Sequence, residues 1–269
     1  MRTLIFISVV AVVMATAAPA VSQDEAPSTS SGTSWTLSTG LDYSSGKYGG
    51  TQSTDILVGL SDVSLKTGNF QFSASVPYVS INGPADVVVG AGGVPAIVNR
   101  KRSTASTTRE GLGDLNLSAT YSIPSEYLDG FEADLSGRTK LATADTSRGL
   151  SSGEIDFGFS ADVSRQFDIW APFVTFGYRV PGSPRTYSLN SAPSFSVGTS
   201  VQLDEKFLAI VSYDFDGSIS STLADSQQLF ASGSWMFNDH LTLTAYAELG
   251  LSSGAPGVGT GLLVGWKIP

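Results

Sequence analysis

One histidine, no cysteine and a sparse set of carboxylates limit the chemistry open to this chain. Hydrolysis by a serine nucleophile needs a histidine base and an orienting acid or amide. The one imidazole, His240, lies in Asn238-Asp239-His240-Leu241, a turn sequence for which spacing implies no serine partner. A lone imidazole without thiolates is also a poor metal centre. Gly257-Val258-Gly259-Thr260-Gly261 has glycine spacing that could cradle phosphate, but such a loop must open a helix after a strand. No helical period follows it; instead Val258, Thr260, Leu262, Val264 and Trp266 mark one face of a strand. No catalytic residue, metal ligand or cofactor is expected.

What remains is a set of charges on the polar faces of alternating segments: Asp42, Asp114, Glu132, Asp134, Arg138, Lys140, Glu154, Asp156, Asp162, Asp214 and Glu248. The stretch from Phe131 to Leu141 shows the pattern, with Glu132, Asp134, Arg138 and Lys140 on one side and Phe131, Ala133, Leu135 and Leu141 on the other. In a half-buried strand of a soluble protein those charges meet bulk water. In a membrane barrel they line the lumen, because a charge on the lipid face is costly. There they either cross-brace a filled interior or line a passage, and the excess of acids predicts one that favours cations or tolerates neutral solutes.

The elements that must position these charges have a period of two. Trp35, Leu37, Leu41 and Tyr43 alternate with Thr36, Ser38, Gly40 and Asp42, and the pattern recurs between Gly-, Asn-, Asp- and Ser-rich breaks. Twelve strands are expected at 34–44, 54–66, 69–81, 111–123, 130–142, 152–164, 169–180, 193–204, 207–216, 226–237, 240–251 and 256–268. In the second, the apolar phase slips by one between Leu60 and Val63, which predicts a bulge.

The first residues give the compartment. Arg2 precedes the apolar run from Leu4 to Met14, and small residues end at Ala20-Val21-Ser22, so 1–22 reads as a secretory signal peptide. That run is too short to span a bilayer, for which about 20 apolar residues are needed, and no other segment offers such a span. Residues 23–33 are polar and aperiodic and read as a flexible tail, which leaves 34–269 for the barrel. A net charge of −9 argues against nucleic acid as a partner.

Two features separate a membrane barrel from a soluble β protein. With the N-terminus in the periplasm, connections at 66–69, 123–130, 165–168, 204–206 and 238–239 are short. Those at 45–53, 82–110, 143–151, 181–192 and 217–225 are longer, and only 252–255 is brief. Short turns at one rim, long loops at the other and an even strand number are the arrangement of a bacterial outer-membrane barrel. All four tryptophans, Trp35, Trp170, Trp235 and Trp266, then fall at the periplasmic rim as an interfacial belt. A soluble barrel closes with about 8 strands and leaves the rest unexplained. In the longest connection, Arg100-Lys101-Arg102 and Arg109 stand beside Val87-Val88-Val89 and the segment from Val94 to Val98. This is either a solvated surface loop, or an apolar lid at the mouth with a basic cluster on anionic headgroups.

Gly111-Leu112-Gly113-Asp114-Leu115, Gly153-Glu154-Ile155-Asp156-Phe157 with Asp162-Val163-Ser164-Arg165, and Phe176-Gly177-Tyr178-Arg179 carry a resemblance, as does the closing stretch from Leu241 to Gly259. The chain resembles the outer-membrane transporter family named for the meta-pathway of phenol degradation, over most of its mature length. That resemblance implies passage of small, hydrophobic or aromatic compounds and names no catalytic residue. The expectation is therefore an all-β, twelve-stranded antiparallel outer-membrane barrel that passes small-molecule solutes and meets outer-membrane lipid and lipopolysaccharide. The alternative is a non-conducting structural or adhesion barrel with a plugged lumen, and an enzyme is disfavoured by the single histidine.

Overall fold

The computed structural model describes residues 32–48, 50, 52–84, 87–89, 95–97, 106–184, 189–220 and 224–268. The signal peptide, nearly all of the N-terminal tail and the Arg100-Lys101-Arg102 cluster lie outside the described residues. Among the described residues sixteen strands follow one another: β1 (Ser34–Gly46), β2 (Thr54–Thr67), β3 (Phe70–Ser75), β4 (Tyr78–Pro84), β5 (Val87–Val89), β6 (Pro95–Ile97), β7 (Ser106–Leu112), β8 (Leu115–Ile123), β9 (Phe131–Leu141), β10 (Asp156–Arg165), β11 (Trp170–Val180), β12 (Ala192–Gln202), β13 (Phe207–Asp216), β14 (Ser226–Met236), β15 (Leu241–Gly250) and β16 (Val258–Ile268).

Alternation in the sequence becomes alternation in exposure, with the polar side covered. In β1, Trp35, Leu37, Leu41 and Tyr43 are exposed while Asp42 and Ser44 are buried. In β16, Val258, Thr260, Leu262, Val264 and Trp266 are exposed, while Gly259, Leu263 and Gly265 are buried. A soluble protein buries its apolar side and pairs its few buried charges. This inversion is what hydrocarbon outside and polar groups inside require.

The sheet closes because β1 pairs antiparallel with both β2 and β16; among the described wall strands only β7, which pairs β4 alone, keeps an edge, beyond the end of the β8–β9 ladder. Fourteen segments build this wall, but β3 and β4 lie end to end along β2, and β8 and β7 lie end to end beside them. The wall therefore has twelve staves. β5 and β6 form a separate hairpin within the longest connection, and β4 and β7 pair as far as Pro84 and Ser106, so part of that connection is strand.

Two staves break at one level for a stated chemical reason. Pro77 has no N–H to give the ladder. Across from it, Tyr78 pairs Leu112 while Ser75 pairs Asn116, so Gly113, Asp114 and Leu115 oppose only Val76 and Pro77. One extra residue is a β-bulge. Gly113 fits there because a Cβ would stand 2.8 Å from the Pro77 Cγ. The bulge reverses the phase: Glu110 and Leu112 face out before it, and Leu117, Ala119 and Tyr121 face out after it.

The bulge expected at Leu60–Val63 is absent. The β1–β2 ladder runs unbroken from Ser34 opposite Lys66 to Gly46 opposite Thr54. The apparent slip arises because the covered face of β2 is itself apolar at Ile56, Val58 and Leu60 before turning polar at Asp62 and Ser64. The sixth stave also starts later than 152: Gly153 takes a left-handed φ of 76°, and the strand opens at Asp156.

The tryptophans occupy one rim. Trp266 pairs Leu37 near the start of β1, Trp35 pairs Ile268, Trp235 pairs Phe207, and Trp170 opens β11. Phe70 packs on Tyr121 at 4.9 Å and Phe207 on Trp235 at 5.9 Å, which continues the aromatic girdle. Turns at this rim are fastened by their own side chains. Asp204 accepts from the Lys206 and Phe207 amides, and Asn238 from those of His240 and Leu241. The His240 Nδ1 lies 3.0 Å from the Lys267 carbonyl oxygen, a role within the turn. Leu262→Arg, in mid-wall on the exposed face, should lower unfolding free energy in phospholipid vesicles by about 2–4 kcal/mol. A loss below about 0.5 kcal/mol, the size of an ordinary surface change, would place Leu262 away from lipid.

Candidate functional site

The bulge aims the Asp114 carboxylate at the interior, where it gathers four donors. Oδ1 accepts from the Thr143 and Ala144 amides at 3.0 and 2.9 Å, and Oδ2 from the Ser151 hydroxyl at 2.5 Å and the Lys140 ammonium at 3.0 Å. Lys140 spans to Asp156, also at 3.0 Å, and donates to the Ser152 hydroxyl. Asp156 in turn accepts from the Gly182 amide at 2.8 Å. The Asp114 and Lys140 residues are each 6 % exposed, so this is a buried ion triad with its remaining lone pairs satisfied. It ties the β9–β10 and β11–β12 connections to the wall. Asp145, in the β9–β10 connection, holds the Ser147 hydroxyl and amide, and these hydrogen bonds keep its carboxyl below the usual aspartate range.

That connection carries Leu150 inward. Leu150 is 2 % exposed and lies over Gly111, where a Cβ would come within 2.9 Å of its Cδ1. It joins an apolar strip formed by Ile56, Val58 and Leu60 of β2 with Val79 and Ile81 of β4, bordered by Tyr48, Tyr246 and Leu263. Tyr48 reaches this cluster from the β1–β2 connection with a left-handed φ of 45°, and its hydroxyl donates to Ser44 at 2.9 Å.

The other half of the interior is polar. Paired residues across six ladders give one row: Ser122, Asp134, Asp162, Thr175, Ser196, Asp214 and Gln228. It starts near the end of β8 and the start of β9, at the tryptophan rim, and ends where β13 finishes and β14 begins, at the long-loop rim. Because the strands tilt, a line of directly paired residues climbs the wall. Beside it runs a second row, polar except at Gly177: Thr120, Ser136, Ser160, Gly177, Ser194, Asp216 and Ser226. Thr175 donates to Asp162, and Ser212 to both oxygens of Asp214. None of Asp134, Asp162 and Asp214 forms a salt bridge with another described residue. Cations stand near the row: Arg138 lies within the field of Asp162 and Lys66 within that of Asp134. Arg179 pairs Asp216 at 3.1 Å and donates to the Gly217 carbonyl, while Arg138 lies over Gly158, where a Cβ would come within 2.8 Å of its Cγ.

Among the charges expected to line a lumen, Asp42, Lys140, Asp156, Asp162, Asp214 and Glu248 lie on covered faces of their staves. Glu132, Asp134 and Arg138 share the face of Lys140 and are partly covered. Asp114 sits in the bulge between β7 and β8, and Glu154 in the connection ahead of β10 rather than in a stave, because the chain turns at Gly153. The structure gathers Asp114, Lys140 and Asp156 into one knot and leaves Asp134, Asp162 and Asp214 in a row. Sequence reasoning omitted Asp62, Arg179, Asp216, Gln228 and Tyr246 from the interior set, all of which are buried. Asp216 and Arg179 follow the parity of Asp214 and Thr175, so alternation alone could have included them. Asp62 was lost to the expected bulge.

No family model and no curated protein matches this chain. Among solved structures it is similar to a KdgM porin at 8% identity and a TM-score of 0.51, over 87% of this chain and 98% of that one. It is also similar to the translocator domain of the autotransporter NalP from Neisseria meningitidis, at 12% identity and a TM-score of 0.50, over 90% of each chain. The fold is that of an outer-membrane β-barrel. Asp114→Asn should remove one of the two charges that pair Lys140 and weaken the hydrogen bonds the carboxylate accepts, lowering the unfolding free energy by about 1.5–3 kcal/mol, the worth of a hydrogen bond to a charged group. It should also open the β9–β10 connection to limited proteolysis in the folded barrel. Unchanged stability and an uncut connection would contradict the role given to this knot.

Proposed function

We propose that this chain is a channel of the bacterial outer membrane, exported by its signal peptide, that lets small solutes cross passively with a preference for cations. The observation that carries the reading is the row from Ser122 to Gln228, which takes hydroxyls, carboxylates and an amide from one rim to the other inside a wall that is apolar outside. Selectivity in such a passage comes from rings or tracks of fixed charge, and carboxylates without a bound counter-charge favour cations. No step of this function needs a cofactor or a catalytic residue. Lipid meets the exposed apolar side chains and lipopolysaccharide the long-loop rim. The resemblance to the phenol meta-pathway transporter family supports hydrophobic or aromatic solutes, and the apolar strip beside the polar rows suits them.

A second reading has an observation of its own. Leu150 and Tyr48 are packed into the interior, which favours a plugged, non-conducting barrel whose outer loops bind a partner. Current through single molecules in a planar bilayer separates the two. The channel reading expects conductance and a cation-selective reversal potential in a salt gradient. Replacing Asp134, Asp162 and Asp214 together by Asn should move that potential toward the non-selective value. An unmoved potential removes these residues from selectivity, and a folded barrel without current at any voltage supports the plugged form.

A further inference from the structure

We propose that the inner corner formed by β15, β16, β1 and β2 is a binding site for an organic ammonium ion that carries an apolar group. The corner is built by glycines that make room for larger neighbours. Gly261 receives the Tyr246 ring, to which an added Cβ would stand within 2.3 Å, and Gly259 receives Glu248, whose Oε2 would stand at 2.9 Å. Laid over the wall in this way, Tyr246 donates its hydroxyl to Asp42 Oδ2 at 2.6 Å and fixes that carboxylate.

The same geometry leaves two acceptors over. Asp42 is 1 % exposed, and its Oδ1 has no hydrogen-bond partner; Glu248 is buried, and its Oε2 has none either. A buried carboxylate oxygen without a partner costs several kcal/mol of solvation. Ionised carboxylates only accept, so a partner that completes them donates a hydrogen bond or carries positive charge. Glu248 also stands within the field of Asp42, Asp214 and Asp216, which concentrates negative potential at this corner.

The rest of the corner selects the kind of cation. The Tyr246 ring packs against Phe230 at 5.7 Å, and Tyr48 joins the same cluster, so aromatic faces flank the carboxylates. An ammonium over such faces gains cation–π attraction. Directly across β1, Asp42 pairs Val58 and Ser44 pairs Ile56, so the apolar strip begins one stave away from the free oxygens. A bare divalent ion wants six or more oxygen ligands, and no group of three metal-ligating side chains occurs among the described residues. A charge joined to an apolar group satisfies both halves of the corner at once.

The site rests on the channel reading insofar as its ligand must enter the interior, and the two are tested apart. Calorimetric titration of the full chain, refolded in detergent and corrected for empty micelles, compares three probes. Benzyltrimethylammonium has charge and ring, tetramethylammonium the charge alone, and benzyl alcohol the ring alone. The first should bind saturably and at least about tenfold more tightly than either of the others. Combined Asp42→Asn and Glu248→Gln should weaken it by at least about tenfold and leave benzyl alcohol unchanged. Equal affinity for benzyl alcohol, or no loss in the double variant, overturns the proposal. If the double variant fails the heat-dependent gel-mobility test of folding, the wild-type ranking of the probes decides alone. Binding without bilayer current upholds the site and contradicts the channel; current without binding does the reverse.

Discussion

Hydrocarbon can solvate neither an unpaired backbone amide nor a carboxylate, and most of this molecule follows from meeting both demands together. The first is met by closure, with β1 laddered to β2 on one side and to β16 on the other. The second is met by parity. Once one residue of a stave faces lipid, every second residue is committed to the interior, so Asp42, Asp162, Asp214 and Glu248 are turned inward by the same pleat that turns Leu41, Val163, Tyr213 and Leu249 outward or toward the outer edge.

An interior filled in that way must find space and partners for long polar side chains. The solution here is local and repeated: a glycine on one stave accepts a large side chain from the next. Gly158 lies beneath Arg138, Gly261 beneath Tyr246 and Gly259 beneath Glu248. Partnering is uneven. At the long-loop rim the Asp114–Lys140–Asp156 knot satisfies its members and fastens two connections. Along the climbing row and at the β15–β2 corner, polar atoms remain unmatched, among them the acceptors Asp162 Oδ2 and Asp42 Oδ1 and both the donor and the acceptor of the Gln228 amide. Fully paired charge serves architecture, and the proposed function and binding site draw on the unmatched polar atoms.

The staves were legible because few architectures besides a membrane barrel combine period-two alternation with Trp at one rim. Strand limits such as 207–216 and 54–66 agree closely with β13 and β2. What alternation could not resolve was its own interruptions. At Gly111-Leu112-Gly113-Asp114-Leu115 two glycines fit either phase, so the extra residue of the bulge left no mark in the pattern. At Leu60–Val63 a change of polarity on one face looked like a change of face, and Asp62 was lost with it. Glu154 read as strand because Glu154-Ile155-Asp156 alternates, although Gly153 turns the chain just before. Pairings across the barrel, such as Tyr246 with Asp42, depend on closure of the sheet and have no local signature.

The absence of cysteine makes the central claim open to direct measurement, because any cysteine introduced is a unique reporter. Ser196→Cys, in the middle of the climbing row, and Leu135→Cys, on the exposed face of β9, can be treated in vesicles with a membrane-impermeant cationic thiosulfonate while current is recorded. The account predicts that the reagent modifies Ser196→Cys and reduces the current, and that it leaves Leu135→Cys unmodified. Modification at Leu135→Cys with none at Ser196→Cys would show that water lies on the other side of the wall and would contradict it.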